Sequence, residues 1–174
     1  MEPFGSSKSE IGSNRKHRGN RFLTVIQYCI DITAVLTELR RVCKPNASVI
    51  IVVGRESNVR KTRFFNGEIV ARLAVHSAGY CLDTRQERVF QNRFGASIYE
   101  DILHLTPRVA HGVLTSPREI ARTVLEAAHA HAPEESFADL TSTMEKLDEV
   151  AASPIYCPES ASSCVTGRTR KEVV

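Results

Sequence analysis

Apolar residues along this chain change their spacing several times, and each change marks an element. From Thr24 they recur at helical steps, with Val25, Cys29, Ile32, Leu36, Leu39 and Cys43 on one stripe and Gln27, Asp31, Glu38 and Arg41 on the other faces. That spacing predicts an amphipathic helix of about five turns. Lys44-Pro45-Asn46 ends it, because proline disfavours helix at the residue before it and asparagine tolerates a left-handed turn. Val49-Ile50-Ile51-Val52-Val53 follows with no polar alternation, closed by Gly54. Such a run predicts a strand buried on both faces, inside a parallel sheet with helices above and below.

Past Gly54 the pattern turns polar. Arg55–Arg63 is expected to be a loop at the carboxyl end of that strand, the edge where open α/β sheets bind ligands. Asn66 can cap the next helix, which runs through Ile69, Val70, Leu73 and Ala74 to a stop at Gly79. Tyr80 to Phe90 is long and fairly polar, as a strand near a sheet edge would be, and Ser97 to Leu105 forms another strand. The link Gln91–Ala96 is too short for a crossover helix, so the pair is expected to be an antiparallel hairpin. Beyond Pro107 the spacing is helical again. Ser116-Pro117-Arg118-Glu119 is a capping box that opens a helix to about His131. Ser136 starts another, with Phe137, Leu140, Met144, Leu147 and Ala151 on one stripe. These two are expected to pair as a helical hairpin, packed on the sheet or on a partner.

The organisation that follows is a flexible basic tail over 1–20, an α/β partial domain over 21–107, a helical segment over 108–152 and a disordered tail over 153–174. With 174 residues, 42% of them hydrophobic, the chain is one domain with enough apolar material for a core. Its net charge of +3 only permits an anionic partner, so the position of the charge says more. Arg55 to Arg63 holds four basic side chains against one acid, and Arg15, Lys16, Arg18 and Arg21 cluster near the start. Five cysteines, at 29, 43, 81, 157 and 164, include no CxxC pair and read as thiols in a reducing compartment. No apolar run reaches the length of a membrane span and the N-terminus lacks a signal-peptide core, so a cytoplasmic location without membrane contact is expected.

A series of segments then resembles one family. Gly19-Asn20-Arg21 leads into a helix carrying Tyr28 and Asp31, and Leu39–Asn46 runs into Val49–Gly54. Ala78-Gly79-Tyr80, Asn92-Arg93-Phe94-Gly95 and Ser97–Leu103 continue the likeness. Together, over about residues 18–107, they are similar to S-adenosylmethionine-dependent DNA methyltransferases that modify the exocyclic amine of cytosine (N4) or adenine (N6). The resemblance implies the second half of a Rossmann-like methyltransferase sheet: its fifth strand, then the sixth and the reversed seventh. The glycine-rich cofactor loop, the acid that binds the cofactor's ribose and the Asp/Asn/Ser-Pro-Pro-aromatic tetrad have no counterpart here. In the family that tetrad accepts hydrogen bonds from the base amine, whose lone pair attacks the sulfonium methyl, while an aromatic ring stacks on the flipped base. Ser153-Pro154-Ile155-Tyr156 imitates it but follows a helix and lacks the second proline.

The resemblance therefore implies DNA as a partner, S-adenosylmethionine as the cofactor of the whole enzyme, and a missing N-terminal half or partner subunit. Catalytic and cofactor-binding residues are not assigned. A degenerate, non-catalytic half that binds nucleic acid or a partner is the other expectation. Candidate DNA contacts are Asn20, Arg21, Arg55, Arg60, Lys61, Arg63, Asn92, Arg93 and Phe94, from the helix start, the basic loop and the hairpin tip. Phe94 is placed either as a wedge or as a plug under the hairpin. Glu100 or Asp101 is expected to pair with an arginine such as Arg93. His76 and His104 are expected to be packed core histidines, with no metal-ligand spacing.

Overall fold

The first helix, α1, spans Leu23–Val42 and buries Val25, Ile26, Cys29 and Leu36 from its apolar stripe. These coordinates are a computed structural model that describes residues 20–108 and 113–154. Residues 1–19, 109–112 and 155–174, which take in both expected tails apart from Asn20, Ser153 and Pro154 and include Tyr156, Cys157 and Cys164, lie outside the described residues. Strand β1 is Val49–Gly54, followed by the short strands β2 (Ser57–Val59) and β3 (Thr62–Phe64). Helix α2, Asn66–Arg72, continues into a π-helical turn over Leu73–Ser77. It stops where Gly79 takes φ +73°, a conformation that a Cβ would strain. Phe65, not Asn66, is the cap residue of α2, and the Asn66 side chain instead accepts a hydrogen bond from Ser57 Oγ at 3.0 Å.

Strands β4 (Tyr80–Gln91) and β5 (Ser97–Pro107) form the expected hairpin. The sheet order is β1-β5-β4, with both pairings antiparallel, so the parallel sheet expected from Val49–Val53 is not present among the described residues. Because β1 and β4 each run against β5, they point the same way as each other with β5 between them. The separate pair β2-β3 stands in place of the expected polar loop.

Burial of β1 also differs from its pattern. Val49 is buried and Ile51 and Val53 pack against the core, whereas Ile50 and Val52 are 55% and 51% exposed. The reason is that alternate side chains point to opposite faces, and α2 packs only on the face that carries Asp101, Leu103 and Leu105. That packing is close at Gly67, where a Cβ would overlap the Asp101 carboxylate. His104 lies half-buried on the other face with Nε2 3.3 Å from Gln86 Oε1, and His76 is exposed. Neither is the core histidine expected.

The C-terminal part is helical as expected, although its last helix ends at Glu145, short of the expected stripe through Leu147 and Ala151. Helix α3, Pro117–His129, begins at Ser116, whose Oγ accepts from the Arg118 N–H at 3.3 Å. A single 3-10 turn, Glu134–Ser136, leads to α4, Phe137–Glu145. The helices contact each other, but α3 packs on α1 and β3 rather than on the sheet. Leu125, Leu140 and Leu147 thereby join Phe22, Ile26 and Leu36 in one core. No helix of the described residues is long and apolar enough to cross a membrane.

Candidate nucleic-acid interface

Two hairpins meet the same edge of the sheet. Gly54 pairs with Glu100 and the Arg55 N–H donates to Tyr99 O at 3.0 Å, so the carboxyl end of β1 lies beside the stretch of β5 that leaves the β4–β5 turn. Beyond that point Arg88–Gln91 and Ser97–Tyr99 continue as a two-stranded arm. Its tip is organised by Asn92, whose side-chain oxygen accepts from the N–H groups of Phe94 (2.9 Å) and Ala96 (3.0 Å). Gly95, at φ +78°, completes the turn. This local network fixes the tip, so Asn92 serves the turn geometry.

Phe94 is not a plug under the hairpin. It is 77% exposed at the tip, with the Arg93 guanidinium 4.6 Å from its ring centroid. The same alternation recurs along the arm, with Arg88 at 5.3 Å over Phe90 and Arg55 at 5.1 Å over Tyr99. Phe90 and Tyr99 are themselves 42% and 47% exposed. Arg55 and Arg88 are also ion-paired with acids, so of the three pairs it is Arg93–Phe94 that sets an exposed apolar ring beside a cation at the tip, the combination that stacks on bases and meets phosphates.

The basic stretch Arg55–Arg63 behaves differently. It folds into the β2–β3 hairpin, whose two-residue turn is Arg60 (φ +46°) and Lys61 (φ +64°). Arg60 is ion-paired with Asp139, and Lys61 Nζ lies 3.1 Å from Glu135 Oε1. Arg63 reaches Glu56 at 3.6 Å, and its carbonyl oxygen lies 3.1 Å from His131 Nε2. The hairpin is thus docked against the α3–α4 segment through acids. Asn20 is part of the same seam: its amide nitrogen donates to Asp139 O at 2.6 Å and its oxygen accepts from the Phe22 N–H at 3.1 Å. Arg21 is exposed beside it, and its carbonyl accepts from Thr24 Oγ1 at 2.7 Å.

Behind the arm lies an ionic cluster built around the buried Asp101. Asp101, with a side chain 0% exposed, receives Arg85 Nη2 at 2.8 Å and faces Arg55 Nε at 3.6 Å. Arg55 also meets Glu87 at 2.9 Å and Arg85 meets Glu68 at 3.3 Å. The hydrogen bond that Arg85 donates to the Asp101 carboxylate lifts the guanidinium above its ordinary range, against the opposing pull of burial. Glu100 pairs with Arg88. Both acids therefore have arginine partners, as expected, but these are Arg55, Arg85 and Arg88 rather than Arg93. The sequence carried a signal for this cluster, an alternating Arg85-Gln86-Glu87-Arg88 facing Glu100-Asp101, but only the hairpin register reveals the pairing.

S-adenosylmethionine would require a glycine loop and a free acid at this edge. Gly67 opens space, but the Asp101 carboxylate fills it, and that carboxylate is held by two arginines. Gly67 therefore leaves no room for a cofactor at this point. Ser153 has its hydroxyl committed to Asp31 Oδ2 at 2.6 Å, on the side of α1. No group of three or more metal-ligating side chains occurs among the described residues. In comparisons with known proteins, no family model, no curated protein and no solved structure matches the chain.

Proposed function

We propose that this chain is the DNA-facing second half of an S-adenosylmethionine-dependent DNA amino-methyltransferase, inactive until joined by a first half that carries cofactor and catalytic groups. The observation that carries the reading is the strand plan. A strand of continuous β-branched residues is followed by the short β2–β3 hairpin, a helix, a second strand running the same way, and a hairpin into a reversed strand. That is the sequence of fifth, sixth and reversed seventh strands that the segments over 18–107 resemble. The projecting arm, with Arg93 over an exposed Phe94, supplies the surface for nucleic acid. Methyl transfer itself is not assigned to any residue here, because the residues at this edge do not fit the cofactor.

A second reading, a non-catalytic half that binds DNA or a partner, draws support from the ion pairs that occupy Arg60 and Lys61. One experiment separates them. Tritiated methyl transfer to mixed-sequence DNA is measured for the purified chain alone and for the chain co-expressed with a first half that carries the glycine loop and the Pro-Pro tetrad. Transfer only by the co-expressed pair is expected. Transfer by neither leaves the non-catalytic reading in place, and transfer by the chain alone overturns both.

A further inference from the structure

Among the described residues the outer edge of β1 carries no strand, and its sequence lacks every usual guard of an edge. Val49–Val53 contains no charge, proline or glycine, and β1 stands at the end of the order β1-β5-β4. Since the Arg55 N–H points to β5, strand alternation turns the N–H and C=O groups of Ile50 and Val52 to the open side. Ile50 and Val52 are also the half-exposed side chains of the strand. The edge thus presents unpaired backbone and apolar side chains at the same two residues.

We infer that β1 pairs with the β1 of a second copy of this chain, antiparallel about a two-fold axis at Ile51. The strand is nearly self-complementary in that register. Ile51 meets its own copy, Val49 meets Val53, and Ile50 meets Val52 twice, so every apolar side chain has an apolar partner of its own shape class. Only a register with Ile51 opposite itself puts outward-pointing Ile50 against outward-pointing Val52, so that each pair exchanges two backbone hydrogen bonds. The two joined sheets make one continuous six-stranded sheet. The inference needs only the free edge and does not rest on the methyltransferase reading. It does imply that a first half pairing with β1 would have to displace the second copy.

The test is sedimentation equilibrium of the full chain over a range of concentrations, with circular dichroism as the control for folding. A dimer is expected. Val52→Pro removes one outward N–H per copy at an edge position, which a strand tolerates, and should weaken the dimer by at least about tenfold with the fold unchanged. Should Val52→Pro fail to fold, a second set decides. A chain carrying Ile50→Lys and Val52→Lys and one carrying Ile50→Glu and Val52→Glu should each be monomeric, and their mixture should restore the dimer through Lys–Glu pairs. A wild-type chain that is monomeric throughout, a dimer indifferent to Val52→Pro in a folded chain, or a mixture that fails to pair overturns the inference.

Discussion

Arg60 and Lys61 are the residues on which the DNA reading meets its clearest competitor, because both already face carboxylates. The perturbation is Glu135→Gln with Asp139→Asn, which removes the two negative charges and keeps the side-chain shapes. Lys61 and Glu135 are 80% and 65% exposed, so their pair contributes at most about 1 kcal/mol. The Arg60–Asp139 side chains are 41% and 31% exposed, which limits that pair to a similar order. The fold should therefore survive, as the Asn20 amide bonds to the Asp139 backbone oxygen and not to its carboxylate. What changes is the charge available to DNA. Each freed cation that meets a phosphate releases counterions and steepens the log–log salt dependence of binding by about 0.9, so the two together should add up to about 1.8. Fluorescence anisotropy with a labelled mixed-sequence duplex, titrated at several salt concentrations, reads this slope directly. In the native chain, Arg60→Ala with Lys61→Ala should change the slope by less than about 1, because those charges are largely matched. If the carboxylate substitutions leave both affinity and slope unchanged, the β2–β3 hairpin is not at a DNA surface, and its cations serve only to dock it on α4.

Further expectations follow from the arm and the core. Asp101→Asn should cost about 2–3 kcal/mol in urea unfolding, below the full cost of breaking a buried pair, because Glu87 and Glu68 still balance Arg55 and Arg85; a loss under about 0.5 kcal/mol would contradict the account of that cluster. Phe94→Ser should leave stability within about 0.5 kcal/mol, since the ring is exposed, and should weaken DNA binding at the hairpin tip, which a competition titration checks. Burial pushes the Cys29 thiol from 9.0 up to about 12, so the unfolded chain loses this proton before the folded chain does. Stability from this source is whole below pH 9 and is lost between pH 9 and 12, amounting to about 1.4 kcal/mol by pH 10. Urea unfolding of the native chain and Cys29→Ala at neutral pH and at pH 10 should show this alkaline loss reduced in the variant; equal losses would refute it.

Elements defined by local spacing were legible in the chain, and those defined by distant partners were not. The α1 stripe, the β4–β5 hairpin, the Gly79 stop and the Ser116 start each rest on residues within a few positions of one another. The β2–β3 hairpin was not legible because its turn, Arg60-Lys61, places two long side chains in left-handed backbone where Asn-Gly would be the usual pair. That conformation is offset by distant contacts: Thr62 and Phe64 are buried, and Asp139 and Glu135 hold the turn from nearly 80 residues away (|i−j| of 79 and 74). For the same reason the charge run read as a DNA loop has three of its four cations, Arg55, Arg60 and Lys61, answered by acids that no local pattern connects to it. Phe94 was ambiguous because a phenylalanine between arginine and glycine satisfies both a wedge and a plug; only its position at the tip of the projecting arm separates them.

The mismatch at β1 is of another kind. A strand whose sequence asks for two covered faces has one covered face and one open edge, and the residues responsible are Ile50 and Val52. Local sequence rules did not fail there, since the strand forms over the expected residues and its inner face is buried. What is unmet is burial. Each of these side chains is about half exposed, and full burial of such a residue is favourable by roughly 1.5–3 kcal/mol, so covering the remaining halves would contribute on the order of 2 kcal/mol before any backbone pairing. That is too little to hold a partner by itself, given the cost of association, and enough to matter when added to the edge hydrogen bonds of a neighbouring strand. Whatever covers the face must therefore also pair with the edge. A helix laid on Ile50 and Val52 without a strand would leave the outward N–H and C=O groups unmatched, and a strand without apolar cover would leave the side chains in water. Both proposals made for this chain, completion by a first half and pairing with a second copy, supply a strand at that edge, and for that reason they compete for it.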